Sequence, residues 1–317
     1  MYHSFYGLQE SPFNVNPDPR YLYRTKQVEE AMAGLVYGIQ GRKGFLTLTG
    51  EVGTGKTTLV NGLLDWLRGQ QIKSAFLFNS RMNSSQLFDF ILAEFEISCE
   101  IRSKSHQLMR LNQWLLERYR AGETAVLIID EAQNLTYPVL EEIRLLTNLE
   151  TASDKLIQIV LSGQQELEEK LKLPQLRQLR QRITVRCKTS ALTQEQTHEY
   201  IAGRLRIAGA NGTAIFSDKA MDVAYKYAHG IPRVLNLLCE HALINGYVEQ
   251  QRPIEPEIVE EVARDFQLDE VEPIATPGSL AISQEVYTSE SFLQNLGEAL
   301  SRFRMNPNAT PTRDRKL

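Results

Sequence analysis

Long apolar runs are missing from this sequence: none approaches the ~18 consecutive hydrophobic side chains that a membrane-spanning helix needs, so no span is expected. Met1-Tyr2-His3-Ser4-Phe5 has neither a basic region nor an apolar core, so no secretory leader is read there. Cysteine is scarce. Cys99, Cys187 and Cys239 stand far apart without a C-x-x-C partner, which excludes a zinc ribbon or disulfide framework and fits a reducing compartment. The five histidines show no metal-ligand spacing. Excess positive charge is also absent: the net charge is −4, so nucleic acid or a membrane surface would have to be met by a local patch. These absences leave a soluble, cytoplasmic protein, with length enough for about two domains.

What is present is concentrated in one stretch. Gly50-Glu51-Val52-Gly53-Thr54-Gly55-Lys56-Thr57 is a full G-x-x-x-x-G-K-[ST] phosphate loop (Walker A), entered from the β-branched and apolar run Phe45 to Thr49 and followed by Thr58 and a helical pattern. The glycines let successive backbone N–H groups turn toward a phosphate, and the next helix points its positive end at the same place. Lys56 is expected on the β- and γ-phosphates and Thr57 on Mg²⁺, with Thr58 supporting the helix.

A second signal lies about 75 residues further on, by the spacing expected of phosphate-loop proteins. Ala125 to Ile129 is a fully apolar run suited to a central parallel strand, and it ends in Asp130-Glu131. Asp130 reads as the Walker B carboxylate that holds Mg²⁺ through water, and Glu131, pointing the other way along the strand, as the base for the attacking water. One strand, Ala75 to Phe78, separates the two signals in sequence, so the two catalytic strands can lie side by side. Leu156 to Leu161 is a further buried strand, at whose end Ser162 or Gln164 touches the γ-phosphate or simply forms a turn. Leu176 to Ile183 is basic and helical, either a solvated face or the source of an arginine finger.

Elsewhere the pattern gives helices and their caps. Thr25 caps a helix from Lys26 to Gln40, Thr193 and Gln196 have capping-box spacing, and Ser217 caps another helix. The prolines of residues 1–24 argue for an irregular lead-in whose aromatics pack on the domain that follows or wall an adenine pocket. Arg233 follows Pro232 at a helix start, an unfavourable place for a cation unless an anion is near. The boundaries expected are a lead-in over 1–24, an α/β nucleotide-binding domain over 25–190, a helical lid over 191–267, and a flexible linker with a short amphipathic helix over 268–317.

Together these motifs, with Phe5-Tyr6-Gly7-Leu8, Pro12-Phe13, Leu161-Ser162-Gly163-Gln164, Leu179-Arg180-Gln181-Arg182-Ile183 and Gly230-Ile231-Pro232-Arg233, resemble AAA+ ATPases of the ExeA/GspA secretion type, whose relatives include the TniB/TnsC transposition ATPases. The resemblance spans about residues 1–266. It implies a five-stranded parallel sheet in the order 5-1-4-3-2 of the additional-strand, catalytic-Glu kind, with an all-α lid. It also implies ATP and Mg²⁺ as ligands and a homo-oligomeric ring or filament with sites between subunits. By the same resemblance Arg233 is the sensor-2 arginine, contacting nucleotide, and Arg182 the finger, with Arg180 in reserve. The partner implied is a secretion or envelope-export assembly, to which the cytoplasmic protein is held peripherally at the inner membrane. DNA, met by Arg102, Lys104 and Arg110, is the second choice. The ExeA type continues into a transmembrane helix and a peptidoglycan-binding domain that this sequence does not show, as in shorter ATPases encoded near exosortase or polysaccharide-export systems.

Overall fold

The computed structural model describes residues 2–268 apart from 79, 80, 102 and 213, so the expected amphipathic helix over 291–304 lies outside the described residues. In chain order the elements are α1 (Tyr2–Tyr6), α2 (Lys26–Gln40), β1 (Phe45–Thr49), α3 (Lys56–Gly69), β2 (Lys73–Leu77), α4 (Ser84–Glu94), α5 (Lys104–Arg120) and β3 (Ala125–Ile129). There follow α6 (Tyr137–Leu146), β4 (Ile157–Gly163), α7 (Gln165–Lys172), α8 (Arg177–Arg180), β5 (Val185–Lys188), α9 (Gln194–Ile207), α10 (Asp218–Ala228), α11 (Pro232–Val248) and α12 (Pro256–Asp265).

The strands form one five-stranded parallel sheet in the order β2-β3-β4-β1-β5, which is the 5-1-4-3-2 order that the resemblance implies. The expectation of adjacent catalytic strands is corrected: β4 lies between β1 and β3, pairing Thr47 with Leu161 on one side and Ile129 with Leu161 on the other. Its run Ile157–Gly163 is buried throughout, which suits a strand covered on both faces and flanked on both edges. Alternate side chains supply the two faces. Leu46, Leu48, Val126, Ile128 and Val160 pack with α2 and α3, whereas Phe45, Leu127, Ile129, Ile159 and Leu161 pack with α4 to α7.

Helix ends follow the local chemistry. The Thr25 hydroxyl accepts from the Val28 amide at the start of α2, and α9 opens on a complete capping box in which Thr193 and Gln196 satisfy each other's backbone N–H groups. Thr193→Ala is expected to lower unfolding free energy by about 1 kcal/mol, measured by chemical denaturation, since one amide of the first turn loses its acceptor. The buried thiols carry no reactivity signal, with burial alone pushing Cys187 up to about 12.

The lead-in departs from expectation in two ways. Its prolines begin only at Pro12, so Tyr2–Tyr6 forms a helical turn. Its apolar residues Tyr2, Tyr6, Leu8 and Phe13 enter the core of α9 to α12, nearly two hundred residues away, instead of the α/β unit that follows. Tyr2 donates to Glu240 at 2.6 Å, the Gln9 amide donates to the Ala208 carbonyl at 2.7 Å, and Phe13 meets Phe216 edge to face at 6.1 Å. Further on, Leu22 packs with the α2–α3 layer, and the Asn61 side chain donates to the Pro17 carbonyl at 3.0 Å. Residues 2–22 thus strap the helical region to the first helix of the phosphate loop.

Candidate nucleotide site

A cavity of about 590 Å³ opens where the carboxyl ends of the strands meet the strap and α9 and α11. Val52 to Thr58 of the phosphate loop line it. Gly53 has φ +79° and Gly55, which caps α3, has φ +93°, backbone shapes that carry little cost only for glycine. Gly53 has a second duty. A Cβ there would lie 2.8 Å from Arg233 Cβ and 2.9 Å from Ile231 Cγ2, and the Arg233 amide donates to the Gly53 carbonyl at 3.2 Å. The missing side chain is what lets α11 touch the loop. Thr54 is buried and donates to the Glu51 carbonyl at 2.8 Å, while Val52 is exposed at the tip. Gly50 packs against Thr189 after β5, and Thr58 lines the cavity beside Thr57.

Lys56 is 6% exposed and donates to the Gly50 and Glu51 carbonyls at 2.9 and 2.7 Å. Burial pulls its pKa below the usual lysine range, against the opposing pull of Glu131 and Asp130. Thr57 Oγ1 donates to Asp130 Oδ2 at 3.1 Å, joining the start of α3 to the end of β3 across the intervening β4. Asp130 is 4% exposed, and its other oxygen accepts from the Ser162 hydroxyl at 2.7 Å and the Glu131 amide at 3.0 Å. A hydroxyl and a carboxylate so placed are hard oxygen donors of the kind that Mg²⁺ takes while keeping several of its waters.

Glu131 stands past the strand end with φ +52°, so strict strand alternation does not set its direction; the left-handed turn does, and it lines the cavity. Its Oε2 accepts from Gln133 Nε2 at 2.6 Å and from Gln164 Nε2 at 3.1 Å, and Gln133 Oε1 accepts from the Gln164 amide at 3.1 Å. Of the two residues left open at the end of β4, Ser162 therefore orients Asp130 and Gln164 orients Glu131. Gln133, two residues beyond Glu131, has no role in the sequence reading.

The arginines separate. Arg233 lines the cavity from the first turn of α11, where Pro232 is the first residue. Arg182 Nη1 is held inside the chain by the Arg144 carbonyl at 2.9 Å, by Asn148 Oδ1 at 2.6 Å and by the Thr147 hydroxyl, all at the carboxyl end of α6. The side chain of Arg180, partly exposed at the end of α8, has no hydrogen bond or ion pair among the described residues. Neither is near Lys56 in the cavity lining. Sequence reasoning missed Arg204, Tyr200 and Asn236, which also line the cavity; their partners lie too far away in sequence to leave a spaced motif.

Residues 39–171 match a family model described as an AAA domain. General secretion pathway protein A of Aeromonas hydrophila is 42% identical over 255 residues, which is 80% of this chain and 46% of that protein, so the chain spans about half of this relative's length. Among solved structures, Cdc6p from Pyrobaculum aerophilum superposes with a TM-score of 0.62 at 19% identity, covering 83% of this chain and 70% of that one. The Aeropyrum pernix ORC2 protein, in ADPNP and ADP complexes, gives 0.60 at 16% identity, covering 83% and 75%. At such identities the two structures speak for the fold alone, whereas the sequence match carries the branch. With its phosphate loop, acid-tipped third strand and 5-1-4-3-2 sheet, the chain carries an AAA domain, and over 80% of its length it is similar to general secretion pathway protein A.

Proposed function

We propose that this protein binds ATP with Mg²⁺ and hydrolyses it between subunits of a homo-oligomer to drive or regulate a bacterial secretion or envelope-export assembly. One observation carries the chemistry: Lys56, Thr57 and Glu131 line one cavity from α3 and the end of β3, and Thr57 is bonded to the buried Asp130 carboxylate behind it, so one acid is placed for metal and another for a base. Thr57 and Asp130 would hold Mg²⁺, which would supply charge neutralisation at the nucleotide's phosphates. Lys56 leaves its two carbonyl partners for the same phosphates, while Glu131, fixed by the Gln133 and Gln164 amides, takes the proton of the attacking water. Arg233 rides on the helix that meets Gly53, so lid position and phosphate contact are mechanically joined. The pathway rests on the likeness to general secretion pathway protein A. The DNA reading gains no support: Lys104 is paired with Glu142 at 2.6 Å, Arg110 bonds to Gln113, and Arg102 lies outside the described residues.

Lys56→Met tests the site. ATP affinity, measured by calorimetry with Mg²⁺, is expected to fall about tenfold to hundredfold, the worth of charge-assisted hydrogen bonds to phosphate. Unchanged affinity would remove the site from the loop. Thermal stability without nucleotide should not fall, because burial makes the ammonium a cost. That cost is fully present below the depressed folded pKa and vanishes as pH rises to the ordinary value near 10.5, so the variant should flatten the stability gain over that window.

A further inference from the structure

The phosphate loop and the two carboxylates handle phosphate; at the strap side of the same cavity a relay of side chains faces elsewhere. Arg204, on α9, is 7% exposed and has no carboxylate within ion-pair distance among the described residues. Its Nε donates to the Pro12 carbonyl at 2.6 Å, its Nη2 to the Asn14 carbonyl at 3.3 Å and its Nη1 to the Tyr200 hydroxyl at 2.9 Å. The guanidinium also covers the Tyr21 ring, 4.5 Å from its centroid.

A guanidinium has only donors. The Tyr200 oxygen therefore accepts from Arg204, and the tyrosine proton goes to its other neighbour, Asn236 Oδ1, at 2.7 Å. Asn236 loses its freedom to flip: the oxygen faces Tyr200, and the NH₂ is the polar group left over. Asn236 is 8% exposed and lines the cavity one turn beyond Arg233 on α11. Its amide nitrogen has no hydrogen bond among the described residues, yet it is not one of the sealed, unsatisfied polar atoms, which there are on Arg42, Arg118 and Glu240. It is a donor open to the cavity, with polarity fixed by a buried cation two residues back in the relay.

We propose that Asn236 reads the base of the bound nucleotide by donating an N–H to a purine ring nitrogen, and that Arg204 and Tyr200 are positioning residues that hold it in the donating orientation. This rests on the nucleotide reading given above and adds to it the base contact. The probes are ATP, its 1-deaza, 3-deaza and 7-deaza analogues, and inorganic tripolyphosphate, titrated calorimetrically into the full chain. Wild type is expected to bind one of the deaza analogues about three- to tenfold more weakly than ATP, the worth of one hydrogen bond. Asn236→Ala should bind ATP as weakly as wild type binds that analogue, show no further loss with it, and keep wild-type affinity for tripolyphosphate. Tyr200→Phe, which frees the amide to flip, should show part of the same loss. The proposal is overturned if Asn236→Ala binds ATP like wild type, or if it loses tripolyphosphate affinity in equal measure. If Lys56→Met leaves both ATP and tripolyphosphate binding unchanged, the nucleotide reading itself falls, a different outcome from loss of base discrimination alone.

Discussion

Glu131→Gln is expected to keep ATP bound with Mg²⁺ while slowing its turnover about 10²- to 10⁴-fold, the usual worth of a positioned general base. The substitution removes a proton acceptor and little else. The side chain keeps its size, and Oε2, which accepts from Gln133 at 2.6 Å and from Gln164 at 3.1 Å, has an amide oxygen as its replacement. Asp130, held separately by Thr57 and Ser162, is untouched, so the metal-binding pair stays in place. Steady-state phosphate release and equilibrium nucleotide binding, measured on the same preparation, check it. Equal turnover in the two proteins would assign the base elsewhere.

The second large effect is expected from Arg180→Ala. If a neighbouring subunit completes the site, loss of the finger should cost on the order of 10³-fold in turnover at protein concentrations that support assembly. ATP affinity of the dilute protein and melting temperature should stay as they are. The resemblance points first to Arg182, but the two arginines differ in what holds them. Arg182 is spent on the carbonyl of Arg144 and the side chains of Thr147 and Asn148, where a cation also suits the negative end of α6. Freeing it for a neighbour would forfeit those bonds. Arg180 has none to lose among the described residues. Arg182→Ala is therefore expected to act mainly on stability, read as a lowered denaturation midpoint, and a loss of turnover confined to Arg182→Ala would restore the first choice.

How much of this was legible in the sequence depended on whether the physics is local. Gly50 to Thr57 and Asp130-Glu131 are spelled out because backbone curvature and strand burial each restrict nearby residues. Caps at Thr25, Thr193 and Ser217 were legible for the same reason: a side chain answering an amide three residues on leaves a fixed spacing. The position of β4 between β1 and β3 came from the resemblance alone and not from the residues, since a fully apolar run reads the same wherever it sits in a parallel sheet. Helix α7 escaped notice because only Leu167 and Leu171 are buried on it. Arg204, Tyr200 and Asn236 lay beyond reach for a different reason. Their meaning comes from carbonyls at Pro12 and Asn14, about 190 residues away, and an arginine in a helical stripe looks like any solvated cation until its partners are seen.

The strap has a consequence for how the chain is made. Tyr2, Tyr6 and Phe13 leave the ribosome before the α/β unit, and the helices that receive them, through Ala263, leave it after that unit. Several large aromatic side chains must wait through the synthesis of the whole α/β unit before their seats exist, which sets apart the folding order of the two cores. The sheet can close on nascent chain before α9 to α12 exist; the helical core cannot, and its completion couples the synthesis of those helices to the capture of the strap.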